Sequence, residues 1–96
     1  MKPKNPQIEC RDGFTVSVQA SEFAYALPRE DYPANGYTHV ECGFPSADPE
    51  TVAFREYAEL CGTEDYRETV YPYVPIEVVE SELDSHGGIT KGKLPS

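Results

Sequence analysis

The sequence contains no tryptophan, one methionine, two histidines, and no apolar run that approaches the roughly 18 residues of a membrane span. The missing apolar run argues against a membrane-spanning helix. Nine prolines and seven glycines interrupt the 96 residues often. Seven tyrosines and four phenylalanines nevertheless argue against disorder, which is typical of aromatic-poor sequences. At this length the chain is expected to form a single domain over residues 1–96.

The first ten residues carry lysines but no apolar stretch, so a secretory signal peptide is not expected and a cytoplasmic location is predicted. Cys10, Cys42 and Cys61 are spaced too widely for a Cys-x2-Cys metal motif. They are expected to stay reduced and to behave as small hydrophobic residues. The sequence therefore predicts no metal site, and nothing in it indicates a cofactor.

Positive charge is scarce between Asn5 and Thr90. All four lysines lie outside that range, whereas 17 acidic residues and four arginines lie inside it and give it a net charge of −13. The whole chain carries −9. Such a field repels nucleic acid and anionic lipid and attracts basic surfaces. Direct binding to nucleic acid or membrane is therefore not expected, although acidity also serves solubility alone.

Alternating hydrophobicity predicts an opening β-hairpin. Phe14–Ala20 has an apolar residue at every second position, and Gln7–Cys10 precedes it across an Asp-Gly turn. Tyr37–Phe44 alternates in the same way and predicts a further strand with Phe44 on its core face. Thr69–Val74 is interrupted by a proline, which restricts it to a sheet edge.

Two segments have the spacing and end signals of helices. Asp48-Pro49-Glu50 resembles a helix start, with Gly62 as the stop, and Pro75–His86 predicts a second helix that ends at a Gly-Gly pair. These elements predict an α+β fold, a small single domain with a three- to four-stranded, mainly antiparallel sheet and two helices on one face. Residues 5–88 are the expected ordered body, and residues 89–96 are expected to form a loose tail.

The second predicted helix carries an acidic stripe. Glu77, Glu80 and Asp84 are three and four residues apart, and no Lys or Arg lies between Arg67 and Lys91 to pair with them. A rise of about 1.5 Å per residue spreads these carboxylates over about 10 Å, a spacing comparable with phosphates along a nucleic-acid backbone. The stripe is either a solvated helix face or a surface that docks on an Arg- and Lys-rich groove.

A second acidic run, Glu64 and Asp65 beside Tyr66, precedes the edge strand. It is either a partner-binding cluster with Tyr66 as an apolar anchor or an ordinary polar loop. Catalytic patterns are sparse: His39 and Glu41 share a strand face, but no Gly-rich phosphate loop or nucleophile elbow accompanies them. We therefore predict a protein that is not an enzyme.

Four segments resemble a group of short proteins encoded by bacteriophages and prophages of Gram-negative bacteria: Asp12–Tyr25, Val40–Ala47, Val70–Pro75 and His86–Ile89. Small acidic phage proteins are similar to anti-CRISPR and other anti-defence proteins, many of which resemble nucleic acid in charge and occupy its binding groove. The resemblance implies an inhibitor that acts in the host cytoplasm.

The leading hypothesis is an inhibitor that binds the basic nucleic-acid groove of a type I CRISPR surveillance complex and blocks DNA binding. The predicted partner-binding residues are Glu77, Glu80, Asp84, Glu64, Asp65 and Tyr66. The alternative is a phage accessory or structural interaction module, whose acidity serves only solubility and whose partner contacts Tyr71 and Tyr73 at the edge strand. The sequence is compatible with a monomer and with a homodimer.

Overall fold

Five strands and two short helices make up the fold. In the computed structural model, which describes residues 4–60 and 62–96, they follow one another as β1 (Ile8–Cys10), β2 (Thr15–Gln19), β3 (His39–Gly43), α1 (Val52–Arg55), β4 (Val70–Pro75), α2 (Ile76–Ser85) and β5 (Ile89–Lys91). The strands form one antiparallel sheet in the order β4-β3-β2-β1-β5. This is the predicted α+β architecture with one additional strand. Lys2 and Cys61, which entered the charge and cysteine predictions, lie outside the described residues.

Both helices cover the same face of the sheet. Val16 and Val18 of β2 are buried, whereas the residues that alternate with them are partly exposed. Phe54 of α1 and Leu83 of α2 belong to the same buried cluster as these valines. The core therefore lies between the helices and one sheet face, as predicted. None of the described helices has the length and apolar character needed to cross a bilayer.

The opening hairpin confirms the strand prediction. Ile8 of β1 pairs with Val16 of β2 in an antiparallel register. Gly13 in the turn has φ +93°, in the left-handed region that favours glycine. The Asp12 carboxylate accepts the Phe14 backbone N–H at 2.9 Å, which fixes the entry into β2.

The first helix is much shorter than the sequence predicts. It starts at Val52 instead of after Asp48, because Thr51 is the capping residue and its hydroxyl accepts the Phe54 N–H at 3.2 Å. It ends at Arg55, well before the glycine predicted to stop it. The N–H groups of the two residues before Val52 donate to a buried carboxylate from α2, a tertiary contact that no local pattern contains.

The C-terminal segment forms part of the sheet. Residues Ile89–Lys91 form β5, in which Ile89 pairs with Cys10 of β1. Leu94 packs against the core and Pro95 is buried. The expectation of a loose tail over residues 89–96 is therefore wrong, because β1 offers a free edge to which a short strand can add its hydrogen bonds.

The edge strand β4 lies where its proline predicts, but its side chains are placed differently. The register between β3 and β4 shifts at a bulge, so Tyr71 is fully buried while Tyr73 is exposed. Of the two tyrosines that the alternative hypothesis assigns to partner contact, only Tyr73 is therefore accessible at the edge strand. Phe44, expected in the core, is also exposed. Phe44 and Tyr73 have φ values of +51° and +52°, which turn both rings out of the strand pattern.

Candidate functional site

The acidic stripe, Glu77, Glu80 and Asp84, lies on the solvent side of α2. All three residues are exposed, whereas Val79 and Leu83 on the other side of the helix are buried. None of the ion pairs formed among the described residues involves the stripe. Three like charges at this spacing repel one another, so a cationic partner would relieve the repulsion.

The second predicted cluster is partly used by the fold. Asp65 accepts the backbone N–H of Arg67 at 2.9 Å, and both of its oxygens accept from the Arg67 guanidinium at 3.1 Å. Hydrogen bonds from the side chain and backbone of Arg67 lower the pKa of Asp65. Tyr66 is half-buried against the core, with the Arg55 guanidinium carbon 5.7 Å from its ring centre. Glu64 alone of the three keeps an exposed carboxylate that no described cation pairs with.

Glu64 and Asp65 lie in one of two neighbouring surface depressions, which also contain acidic residues that were not among the predicted partner-binding residues. The depressions have volumes of about 780 and 300 Å³ and share residues 46–48. Arg67 and His86 are the basic side chains on their walls. The walls carry five carboxylates, here called the acidic groove: Asp12, Asp48, Glu50, Glu64 and Asp65. The residues of the acidic stripe line neither depression, so the second acidic run predicted from the sequence belongs to a larger, separate acidic surface.

A buried carboxylate holds the wall of the acidic groove in place. Glu82 has no exposed surface, although the sequence analysis did not separate it from the solvated acids of α2. It accepts the backbone N–H groups of Glu50 and Thr51 at 2.8 and 2.9 Å and the Thr51 hydroxyl at 2.8 Å. Its fourth contact is Nε2 of His86 at 2.7 Å, and Nδ1 of the same ring lies 2.8 Å from Asp12. The three side chains thus join α2, the segment before α1 and the hairpin turn.

His86 faces a carboxylate at each nitrogen, an arrangement that favours the protonated imidazolium form of its ring. Burial alone would lower the pKa of His86, but the hydrogen bonds with Asp12 and Glu82 raise it above its usual value. Burial also acts to raise the pKa of Glu82, yet the hydrogen bonds that it accepts lower it overall. The ring stacks on Phe14 at 3.7 Å. In that form the ring has no lone pair to abstract a proton or bind a metal, and its two contacts link α2 to the hairpin turn.

In the part of the chain that the structure describes, the two cysteines are buried, and His39 and Glu41 each make a hydrogen bond within the fold. Burial raises the pKa of Cys10 and of Cys42, which keeps both thiols protonated and unreactive. His39 Nδ1 lies 2.9 Å from the Thr38 hydroxyl, and Glu41 accepts a backbone N–H from the loop that covers it. Within residues 4–60 and 62–96, no group of three or more His, Cys, Asp or Glu side chains is arranged to hold a metal ion.

The sheet face that the helices leave open carries a small aromatic pocket. It has a volume of about 270 Å³ and lies over β2, β3 and β4. Phe23 and Phe44 line it, and their side chains are 65% and 55% exposed. Glu41 and Lys4 bring opposite charges to its lining, and Gly43 leaves its floor open. The alternating strand pattern conceals this pocket because it places Phe44 on the core face.

Comparison of the chain with protein-family models, with curated proteins and with solved structures finds no match. Three surface features of the described residues could bind a partner: the acidic stripe, the acidic groove and the aromatic pocket. Each of them presents a different chemistry to a partner: regularly spaced carboxylates, a concave acidic wall, and aromatic rings beside a carboxylate.

Proposed function

We propose that this chain is a phage-encoded anti-defence inhibitor that occupies the basic nucleic-acid groove of a host complex in the host cytoplasm. The observation that carries the proposal is the acidic stripe, whose three exposed carboxylates pair with no cation among the described residues. A helix face selected for stability alone would carry lysines at such positions. A type I CRISPR surveillance complex is the proposed target, on the resemblance to small acidic phage proteins.

The mechanism is steric occlusion, in which carboxylates take the places of phosphates. A net charge of −9 speeds the encounter with a basic surface and makes its rate depend on salt. The stripe lies on a ten-residue helix that Glu82 and His86 anchor to the rest of the fold, so its carboxylates are held in register before binding. Glu64 in the acidic groove offers a further exposed contact, and no step of this mechanism requires catalysis.

Capture of host proteins by the immobilised full chain tests the proposal. We expect it to retain a complex that binds nucleic acid, and competing DNA or raised salt to release that complex. The triple variant Glu77→Gln/Glu80→Gln/Asp84→Asn should weaken the interaction by about tenfold or more, because several charge-assisted contacts are lost together.

A matched control separates the acidic stripe from net charge. The variant Glu22→Gln/Glu56→Gln/Glu59→Gln removes the same three charges from exposed positions outside α2 and should leave most of the affinity intact. Equal losses in the two triple variants would show that the stripe has no specific role. A complex that resists both DNA and salt would contradict mimicry of nucleic acid.

A second candidate function is a phage accessory or structural interaction module. The observation that favours it is the exposure of Phe44 and Tyr73 beside the edge strand β4, where a partner could add a strand. In that case binding would be insensitive to salt, and Phe44→Ala would reduce capture more than the loss of the acidic stripe.

A further inference from the structure

Hydrogen bonds within the fold fix the positions of the Gln19 and Glu41 side chains that line the aromatic pocket. The Gln19 side chain exchanges two hydrogen bonds with the backbone of Asn5 at 2.8 and 2.9 Å and donates a third to Ser17 at 3.0 Å. Glu41 Oε1 accepts the backbone N–H of Tyr25 at 2.9 Å. One Glu41 oxygen is therefore used to position the carboxylate, while Oε2 is left to meet a ligand.

Phe44, whose ring forms one wall of the aromatic pocket, has an unfavourable backbone conformation. Phe44 has φ +51°, a region that bulky residues adopt rarely, and its N–H donates to Thr69 O at 3.1 Å. This conformation turns the ring away from the core and leaves it 55% exposed. Backbone strain of this kind persists at sites where it serves recognition or chemistry.

Size and charge limit what the aromatic pocket can hold. Its volume of about 270 Å³ is smaller than the roughly 300–1,000 Å³ of small-molecule and cofactor sites, which fits one inserted side chain. Aromatic faces attract cations, and a guanidinium stacks flat on them while pairing with a carboxylate. Phe23, Phe44 and Glu41 supply this combination on a chain whose net charge attracts basic partners.

We infer that the aromatic pocket binds an arginine side chain of a basic protein partner. The guanidinium packs against Phe23 and Phe44 and pairs with Glu41 Oε2. The inference rests on the proposed function in one respect, that the partner is basic, but it concerns the sheet face and not α2. Lys4 also lines the pocket and is exposed, so its ammonium opposes the bound cation from the rim.

Titration of the full chain with a blocked Gly-Arg-Gly tripeptide, followed in proton–nitrogen correlation spectra, tests the inference. We expect binding in the millimolar range, with shifts concentrated at Gly43, Phe44 and the Gln19 side-chain amide. The same tripeptide with citrulline in place of arginine has the shape without the charge. It should bind about tenfold more weakly, as expected when one charge-assisted contact is lost.

Single variants locate the binding site. Glu41→Gln keeps an acceptor for the Tyr25 N–H and should weaken arginine binding about tenfold, whereas Lys4→Ala should strengthen it about twofold to threefold. Glu56→Gln makes the same charge change at an exposed position outside both the aromatic pocket and the acidic stripe, and should alter nothing. Each of these outcomes can be measured on a folded protein, because none of the changes removes a buried group.

Four results would overturn the inference: no shifts at the aromatic pocket, equal affinity for the citrulline peptide, equal effects of Glu41→Gln and Glu56→Gln, or weaker binding in Lys4→Ala. The last would show that Lys4 supports binding of the peptide and does not oppose a bound guanidinium. Because the tripeptide assay does not need the acidic stripe, its failure is distinguishable from failure of the stripe variants in the capture experiment.

Discussion

A carboxylate without exposed surface has to be compensated by hydrogen bonds, and Glu82 accepts three from the segment before α1 and one from His86. Glu82→Gln keeps the size of the side chain but replaces one acceptor oxygen with an amide N–H₂ group. That donor would then face the N–H and O–H donors that now bind the carboxylate. We expect this change to lower the free energy of unfolding by about 3 kcal/mol, measured by urea denaturation. The control Glu59→Gln, at an exposed position outside α2, should change it by less than about 0.5 kcal/mol. Similar values for the two variants would contradict the role given to Glu82.

The same network predicts how stability depends on pH. The folded pKa of His86 lies above its usual 6.5, so its contribution is complete below pH 6.5 and is lost as the pH rises through the folded pKa. The folded pKa values of Glu82 and Asp12 lie below their usual 4.5 and 3.8, so their contributions are complete above those values and are lost as the pH falls. Urea midpoints should therefore be highest between about pH 4.5 and 6.5. In His86→Gln the decline above pH 6.5 should be much smaller, and an unchanged decline would assign it to other groups.

At the scale of the elements, β5 depends on a close approach of backbones at Gly92. A Cβ at this position would lie 3.1 Å from Gln7 O and 3.3 Å from the Ile8 Cα, and φ is +83°. Gly62 has nearly the same φ, +84°, but nothing within 4 Å of such a Cβ. Ala at either position carries the same backbone strain, so their difference isolates the packing of the C-terminal segment on β1. Gly92→Ala should destabilise the protein by about 1–2 kcal/mol more than Gly62→Ala in thermal unfolding. Equal effects would mean that the segment is not docked.

The elements also show where the sequence was sufficient and where it was not. The hairpin and α2 follow from local patterns, because the alternation at Phe14–Ala20 and the Pro and Gly-Gly signals around α2 act over a few residues. The start of α1 depends instead on Glu82, a residue more than thirty positions later in the chain. Phe44 is misplaced by its pattern because β3 ends at Gly43 and the positive φ of Phe44 turns its ring out of the strand alternation. The acidic stripe was predictable from spacing, whereas the acidic groove and the aromatic pocket need the tertiary fold to exist.

Over the whole molecule, carboxylates are concentrated on two surfaces that contain few basic side chains, a distribution that would attract a basic partner. The acidic stripe and the acidic groove contain eight carboxylates, and the described lysines lie at the two ends of the chain. Among residues 4–60 and 62–96, Arg67 is the only Lys or Arg in an ion pair, and its partner is Asp65. The other carboxylates of both surfaces are left to solvent, to hydrogen bonds or to His86. An uncompensated surface of this kind lowers the stability of the free protein, and binding to a basic surface would recover that loss.

The loss of stability caused by repulsion within the acidic stripe can be measured on the free protein. Glu80 repels Glu77 and Asp84 along α2, and Asp84 lies in the last turn, where the helix dipole disfavours an acid. Glu80→Gln/Asp84→Asn should therefore raise the free energy of unfolding by about 1 kcal/mol in low-salt buffer, followed by urea denaturation. The gain should shrink in 1 M salt, where the screening length falls to about 3 Å. Glu22→Gln/Glu59→Gln changes the net charge equally from exposed positions outside α2, and its gain should be smaller. Equal increases in the free energy of unfolding of the two double variants would show that net charge alone limits stability. An increase in the α2 variant only would show that the acidic stripe lowers the stability of the protein, as expected of a surface kept for binding.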